Sequence, residues 1–226
     1  MTVEESIQTL LEKLAYRRLL TDKATLYARQ VEAKFKNARY SLDKLREFGL
    51  PVATGSSTAS SALLDTDELI NFYCDCFWDF LRSSIDVLAQ LINERTSLGM
   101  DETDVDIKKV AAHPRLASFA QLKTSVKYLL SLRVFKRLEQ YRHCSMHRRQ
   151  VYIKTIEQKE SILGTRGYSA TTSDAEMPTY VSYLCRDPQD LTTTPDVDDS
   201  RTVDMFCQEL LEKLQNQMVA IINRLP

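Results

Sequence analysis

Apolar residues recur at every third or fourth position along most of this chain, the spacing that places them on one face of an α-helix. Val3, Ile7, Leu10, Leu11 and Leu14 predict a first amphipathic helix over residues 3–20. Thr21 and Asp22 supply an N-cap for a second helix, which runs to about Phe48 and meets stop signals at Gly49 and Pro51. Residues 1–50 are therefore expected to form a helical hairpin. Residues 51–64 carry an Ala/Ser/Thr/Gly tract with no period and little apolar area to bury, which predicts a flexible loop. Asp65 or Thr66 then caps the most strongly patterned helix, reaching about Arg95. Its apolar stripe comprises Leu69, Phe72, Tyr73, Cys76, Phe77, Phe80, Leu81, Ser84, Leu88, Leu91 and Ile92. At about 100° per residue, Asp75, Asp79, Arg82 and Asp86 fall together on the other side, and this polar stripe is expected to face solvent.

Residues 97–106 read as a polar loop, and His113-Pro114 as a turn with no chemical role for the histidine. Residues 115–141 are expected to be helical, with Leu116, Phe119, Leu122, Val126, Leu129 and Leu130 inward and an adjustment near Ser131 ahead of Phe135 and Leu138. Helical pattern resumes through Ile153, Ile156 and Leu163, up to Gly164 and Gly167. Residues 166–200 are rich in Thr, Asp and Pro, and the run at 180–185 is their one strand-like stretch. A last amphipathic helix occupies 201–226, with Val203, Phe206, Cys207, Leu210, Leu211, Leu214, Met218 and Ile221 on one face. The pattern as a whole predicts an all-α fold: one antiparallel helical bundle over 1–226, its core at 65–165, with a small irregular or short-strand extension before the last helix.

Composition narrows the classes. A chain of 226 residues, 43% hydrophobic and 27% charged, holds enough apolar material for one core, and five glycines with six prolines argue against an all-β protein. No run approaches a membrane span and the first residues lack a signal-peptide layout, so a cytoplasmic protein without a membrane partner is expected. Five cysteines at irregular spacing predict buried thiols rather than a disulfide framework. Cys74 and Cys76 lie on different helix faces with no second pair, so neither zinc nor another cofactor is expected.

Net charge is only −1, yet the charges are segregated. Residues 65–106 carry eleven acids against Arg82 and Arg95, whereas 115–154 carry ten Lys/Arg against Glu139 alone. The two segments neutralise each other by packing together, or the basic one presents a phosphate-binding face, and the two can hold at once. Residues 17–47 also lean basic, nine to four, which reads first as a solvated helix face.

Candidate chemistry concentrates at residues 142–149, where two of the three histidines stand with three arginines. Arginine is a permanent cation whose planar fork fits phosphate oxygens, and histidine both gives and takes a proton near neutral pH. Arg142 and His147 are five residues apart, about 140° around a straight helix. They meet at one phosphate only if the helix bends or ends between them, or if two subunits face each other across a two-fold axis.

The run Arg142-His143-x-x-x-His147, set behind a long helical hairpin and within a basic segment, resembles the signature of HEPN domains, the all-helical superfamily named for higher eukaryotes and prokaryotes nucleotide-binding. The match covers roughly 65–163, extending to the last helix but not to the first two or the Thr/Asp-rich extension, and departs from the commoner pattern at His143, where an asparagine or aspartate is more usual. Many HEPN proteins are metal-independent RNases of defence and toxin–antitoxin systems that act as homodimers with a composite site. The resemblance implies His147 as general acid or base, Arg142 on the scissile phosphate, His143 in support, and Arg148 and Arg149 on neighbouring phosphates. It also implies RNA as substrate, cut to a 2′,3′-cyclic phosphate, and an antitoxin protein as a partner. Asp79 or Asp86 is a candidate to orient a motif histidine.

Three plainer readings compete. Arg142 could pair with Glu139 while His147 is an ordinary surface or core histidine. His143 and His147, at i and i+4, could ligate a metal beside Cys144, although no third ligand follows with convincing spacing. The domain could also be a non-catalytic module that binds RNA, a nucleotide or a protein. No P-loop, dinucleotide-binding glycine pattern or nucleophile elbow supports another enzyme class.

Overall fold

A computed structural model describes residues 2–17, 21–48, 59–147, 154–159, 179–184 and 203–226; for 48, 59–67, 144–147 and the two strands, only the backbone is described. The helices are α1 (Val3–Tyr16), α2 (Asp22–Phe48), α3 (Ala59–Thr96), α4 (Ile107–Ala112), α5 (Ala120–Ser131), α6 (Arg133–His147) and α7 (Val203–Ile222), with a 3₁₀ turn at Pro114–Ser118. They form the expected all-α bundle. Strands β1 (Lys154–Lys159) and β2 (Thr179–Leu184) pair antiparallel, Lys154 opposite Leu184.

Local chemistry accounts for the helix ends. Thr2 and Glu5 close a capping box on α1, with Glu5 N–H donating to Thr2 Oγ1 at 3.1 Å and Thr2 N–H to Glu5 Oε2 at 2.7 Å. Thr21 caps α2 by accepting from Ala24 N–H at 3.0 Å. Asp106 accepts from the backbone of Lys108 and Lys109 to start α4. His113 Nδ1 accepts from Arg115 N–H at 3.3 Å, a turn-closing role for that imidazole. Between α5 and α6 only Leu132 leaves helical geometry, at φ −62° and ψ 129°.

Three expectations change. Helix α3 begins at Ala59, inside the tract read as the flexible loop 51–64, because alanine and serine continue a helix at little cost; residues 51–58 lie outside the described residues. The helix expected from Arg115 starts only at Ala120, after the 3₁₀ turn that Pro114 opens. Lys154–Lys159 is a strand rather than renewed helix. The β-branched and aromatic density at 151–156 favours extended backbone. Strand β2 matches the strand-like run at 180–185 closely.

Helices α2 and α3 run antiparallel: Thr21 Oγ1 donates to Glu94 at one end (2.9 Å), and Lys34 Nζ lies 5.3 Å from the Phe80 ring centre nearer the other. Helix α7 crosses α2 in the same antiparallel sense, through Arg39 to Gln215 (3.0 Å) and Arg46 to Gln208 (2.8 Å). It joins α5 where Gln217 Nε2 donates to Ser125 O at 2.7 Å.

The apolar stripe read on α3 is only half of what that helix buries. Leu69 and Phe72 are exposed, while Ile70, Cys74, Trp78 and Ile85, outside the stripe, join Phe77, Leu81 and Leu88 in the core. At about 100° per residue the buried apolar positions share one arc of about 160°, from Leu91 round past Trp78, so the core face is turned toward Trp78 from the stripe that the sequence suggested. Trp78 lies flat against Tyr141 of α6 (4.6 Å between rings, 12° between planes) and tilts against Phe206 of α7 at 6.0 Å. Phe77 and Trp78 meet edge to face at 5.1 Å.

Trp78→Ala removes the aromatic joint of three helices and is expected to cost about 3–5 kcal/mol. Phe72→Ala, at a site 58% exposed, should stay within about 0.5 kcal/mol. Urea unfolding followed by circular dichroism checks both.

Candidate functional site

The tracts at 65–106 and 115–154 meet at the α3–α6 seam. Asp79 and Asp86 are seven residues apart on α3, two turns and the same face. Between them Arg142 reaches in from α6: its Nε is 3.5 Å from Asp79 Oδ1 and its Nη1 3.6 Å from Asp86 Oδ2. These are ion pairs without a hydrogen bond at Nε, which is shielded from solvent. Nη2 has no ion pair among the described residues, and 31% of the side chain is exposed.

One turn away sits a second cation of a different kind. Arg82 is 8% exposed; it pairs with Asp86, lies 3.7 Å from Glu139 Oε1 and covers the Phe135 ring at 5.6 Å. Glu139 is bound in turn by Lys108 Nζ of α4 at 2.9 Å. Three carboxylates thus face three cations.

The geometry revises several expectations. The polar stripe of α3 does not simply face water, because its Arg82, Asp79 and Asp86 receive α6. The carboxylates stand against the motif's arginine, His143 is exposed, and the His147 side chain, which either carboxylate is a candidate to orient, lies outside the described residues. Glu139 pairs with Arg82 and Lys108 rather than with Arg142. Helix α6 runs unbroken from Arg133 to His147, so no bend brings Arg142 and His147 together within one chain. His147 closes α6 as a backbone position only, and Arg148 and Arg149 lie outside the described residues. Arg82 as a buried member of the cluster was not singled out by the sequence; its signal was a lone cation between Leu81 and Ile85 with Asp86 at i+4.

Elsewhere the charges bind each other. Glu32 accepts from Lys36 (2.7 Å) and Arg29 (2.9 Å), and the Lys36 hydrogen bond above all holds its carboxyl below the usual range. Arg39 meets Glu4 at 3.1 Å and Lys44 meets Glu47 at 2.6 Å, so the basic 17–47 face is largely self-neutralised. An open polar cleft of about 280 Å³ lies where α2 begins and α3 ends, lined by Lys23, Tyr27, Asn93, Glu94 and Glu102 among others. Its Glu102 is held low chiefly by the Lys23 ammonium, and Tyr27 is pushed up by burial first and by Glu102 second. Burial, aided by Asp75 and Asp79, likewise raises the Cys76 thiol, while Cys74 and Cys207 are core residues. Among the described residues no cluster of three His, Cys, Asp or Glu is arranged for a metal, and no helix is long and apolar enough to cross a membrane.

No protein-family model, curated protein or solved structure matches this chain.

Burial separates the roles of the two arginines. Arg82→Ala removes the buried cation that Asp86 and Glu139 share, leaving them Arg142 and Lys108, and uncovers Phe135; it is expected to cost about 2–3 kcal/mol. Arg142→Ala breaks longer, wetter pairs and should cost under about 1 kcal/mol. Equal losses in denaturant titrations would assign Arg142 a purely architectural task.

Proposed function

We propose that the chain is a metal-independent endoribonuclease of HEPN type that acts as a homodimer. The observation that carries this reading is the state of Arg142. Two carboxylates from α3 lie 3.5 and 3.6 Å from its Nε and Nη1, and among the described residues Nη2 has no ion pair, on a helix that also carries His143 and His147. A guanidinium held loosely between carboxylates, with one nitrogen over, has a donor to offer a phosphoryl oxygen.

The chemistry needs few parts. The 2′-hydroxyl of RNA is the nucleophile; His147 of one subunit takes its proton as the 2′-oxygen bonds to phosphorus. The bond from phosphorus to the 5′-oxygen breaks, and the leaving oxygen takes a proton from the second subunit's histidine. The products are a 2′,3′-cyclic phosphate and a 5′-hydroxyl. Arg142 stabilises the charge on the non-bridging oxygens, His143 supports by hydrogen bonding, and Arg148 and Arg149 hold flanking phosphates. Asp79 and Asp86 position Arg142 and touch no substrate. The unbroken α6 supports the dimer in this reading, since arginine and histidine about 140° apart on one helix serve one phosphate only with a partner helix opposite. A cytoplasmic toxin restrained by an antitoxin protein is the setting it implies.

One observation favours a second reading. Arg142 is flanked by two carboxylates, and a cation so neutralised suits a non-catalytic helical module that binds RNA or a protein elsewhere on its surface.

Single-turnover cleavage of labelled RNA, with and without EDTA, separates the two. The nuclease cuts in both conditions, leaves DNA intact, and loses at least about 100-fold in rate in His147→Ala and in Arg142→Ala. A parent protein that binds RNA without cutting it belongs to the second reading, and sensitivity to EDTA contradicts the first.

A further inference from the structure

We infer that the outer face of α5 and α6 is a platform for single-stranded RNA, in which Arg133 and Lys136 track phosphates and Tyr128 stacks on a base. The inference rests on the proposed nuclease for its location but stands on separate observations.

The first is phase. Counted at about 100° per residue, Arg133, Lys136, Gln140 and His143 fall within an arc of about 80°, and the backbone position of His147 continues the line. Arg142 is on the opposite side, against α3. Arg133, Lys136 and His143 are exposed and Gln140 partly so. The track from Arg133 to His143 is about 15 Å long and ends at the motif's histidines.

The second is charge. Elsewhere in the described bundle most cations have a carboxylate: Arg29 and Lys36 share Glu32, Arg39 has Glu4, Arg46 has Asp43, Lys109 has Asp104 and Lys213 has Glu209. On α5 and α6 the sole acid, Glu139, is committed to Lys108 and Arg82. Lys123, Lys127, Arg133 and Lys136 have no described carboxylate partner. Four uncompensated cations along two consecutive helices attract a polyanion.

The third is Tyr128, 57% exposed in the last turn of α5, beside Lys127 and five residues ahead of Arg133. An open aromatic next to a cationic track is the pairing with which proteins hold single strands, whose bases have free faces. A ring whose face is open to stack on a base, together with cations for the backbone, is the combination that single-stranded RNA uses in full, and RNA is the occupant to which the inference commits.

The test is anisotropy of a labelled 15-nucleotide single-stranded RNA against the full chain carrying His147→Ala, which removes cleavage, over 50–200 mM salt. Arg133→Ala/Lys136→Ala is expected to weaken binding at least about tenfold and to reduce the slope of log affinity against log salt by about 1.4, at 0.7 per phosphate contact. Tyr128→Ala should weaken binding about fivefold or more with the slope unchanged. Lys36→Ala, on α2, should change neither. No binding by the protein, binding within twofold of the parent in the double variant, or equal displacement by polyglutamate each overturns the platform. If the protein binds RNA in this manner but its unmutated form cuts none, the platform holds and the nuclease falls; if it cuts while the double variant binds and cuts unchanged, the reverse is true.

Discussion

The contact between Trp78 and Tyr141 sets the rotation of α6 on α3, and the properties of the candidate site descend from it. Two large rings packed flat within the core leave little freedom to twist, since interiors are close-packed and a turned helix would open voids. Asp79 follows Trp78 on one helix and Arg142 follows Tyr141 on the other. With the rings fixed, the carboxylate and the guanidinium have no choice but to meet. The apolar joint thus determines which face of α6 points inward to charge and which outward to solvent.

The charge segregation of the sequence is resolved twice in space. Along the seam the acids of α3 and the cations of α6 cancel, and the burial of Arg82 makes that cancellation part of the fold rather than a surface preference. Among the described residues, Lys123, Lys127, Arg133 and Lys136 of α5 and α6 have no carboxylate partner. Neutralisation within the bundle therefore occupies one side of α6 while exposed Arg133 and Lys136 lie on another, which is how a chain of net charge −1 carries a locally basic surface.

Much of the fold was legible because the strongest signals were local. Thr21 ahead of α2 states that helix start in its own chemistry, and α7 shows a clean stripe from Val203 to Ile221 because it is covered on one side. The true edge of the buried face of α3 was not legible, since Cys74, Ile85 and Trp78 share an arc between the stripe read from the sequence and the polar positions, and which edge is covered depends on where α6 and α7 pack. The site divides in the same way. Residue types and spacing singled out Arg142, Asp79 and Asp86, and the structure brings these three together. The sequence did not tell which of Arg142 and the histidines the carboxylates would take, because that depends on the rotation of α6, a tertiary property. Glu139, the nearest acid to Arg142 in sequence, was a misleading neighbour: at i−3 it lies toward Arg82 and α4 instead.

The unbroken course of α6 from Leu132 onward also limits how this segment tolerates change in length. Inserting or deleting one residue ahead of Tyr141 would turn everything after it by about 100°. Tyr141 would then miss Trp78, Arg142 would leave its carboxylates, and the histidine line would swing off the outer surface. Substitutions on that surface disturb one side chain at a time, but a frame of fixed length between the Leu132 break and Tyr141 is required for any of them to have a defined position.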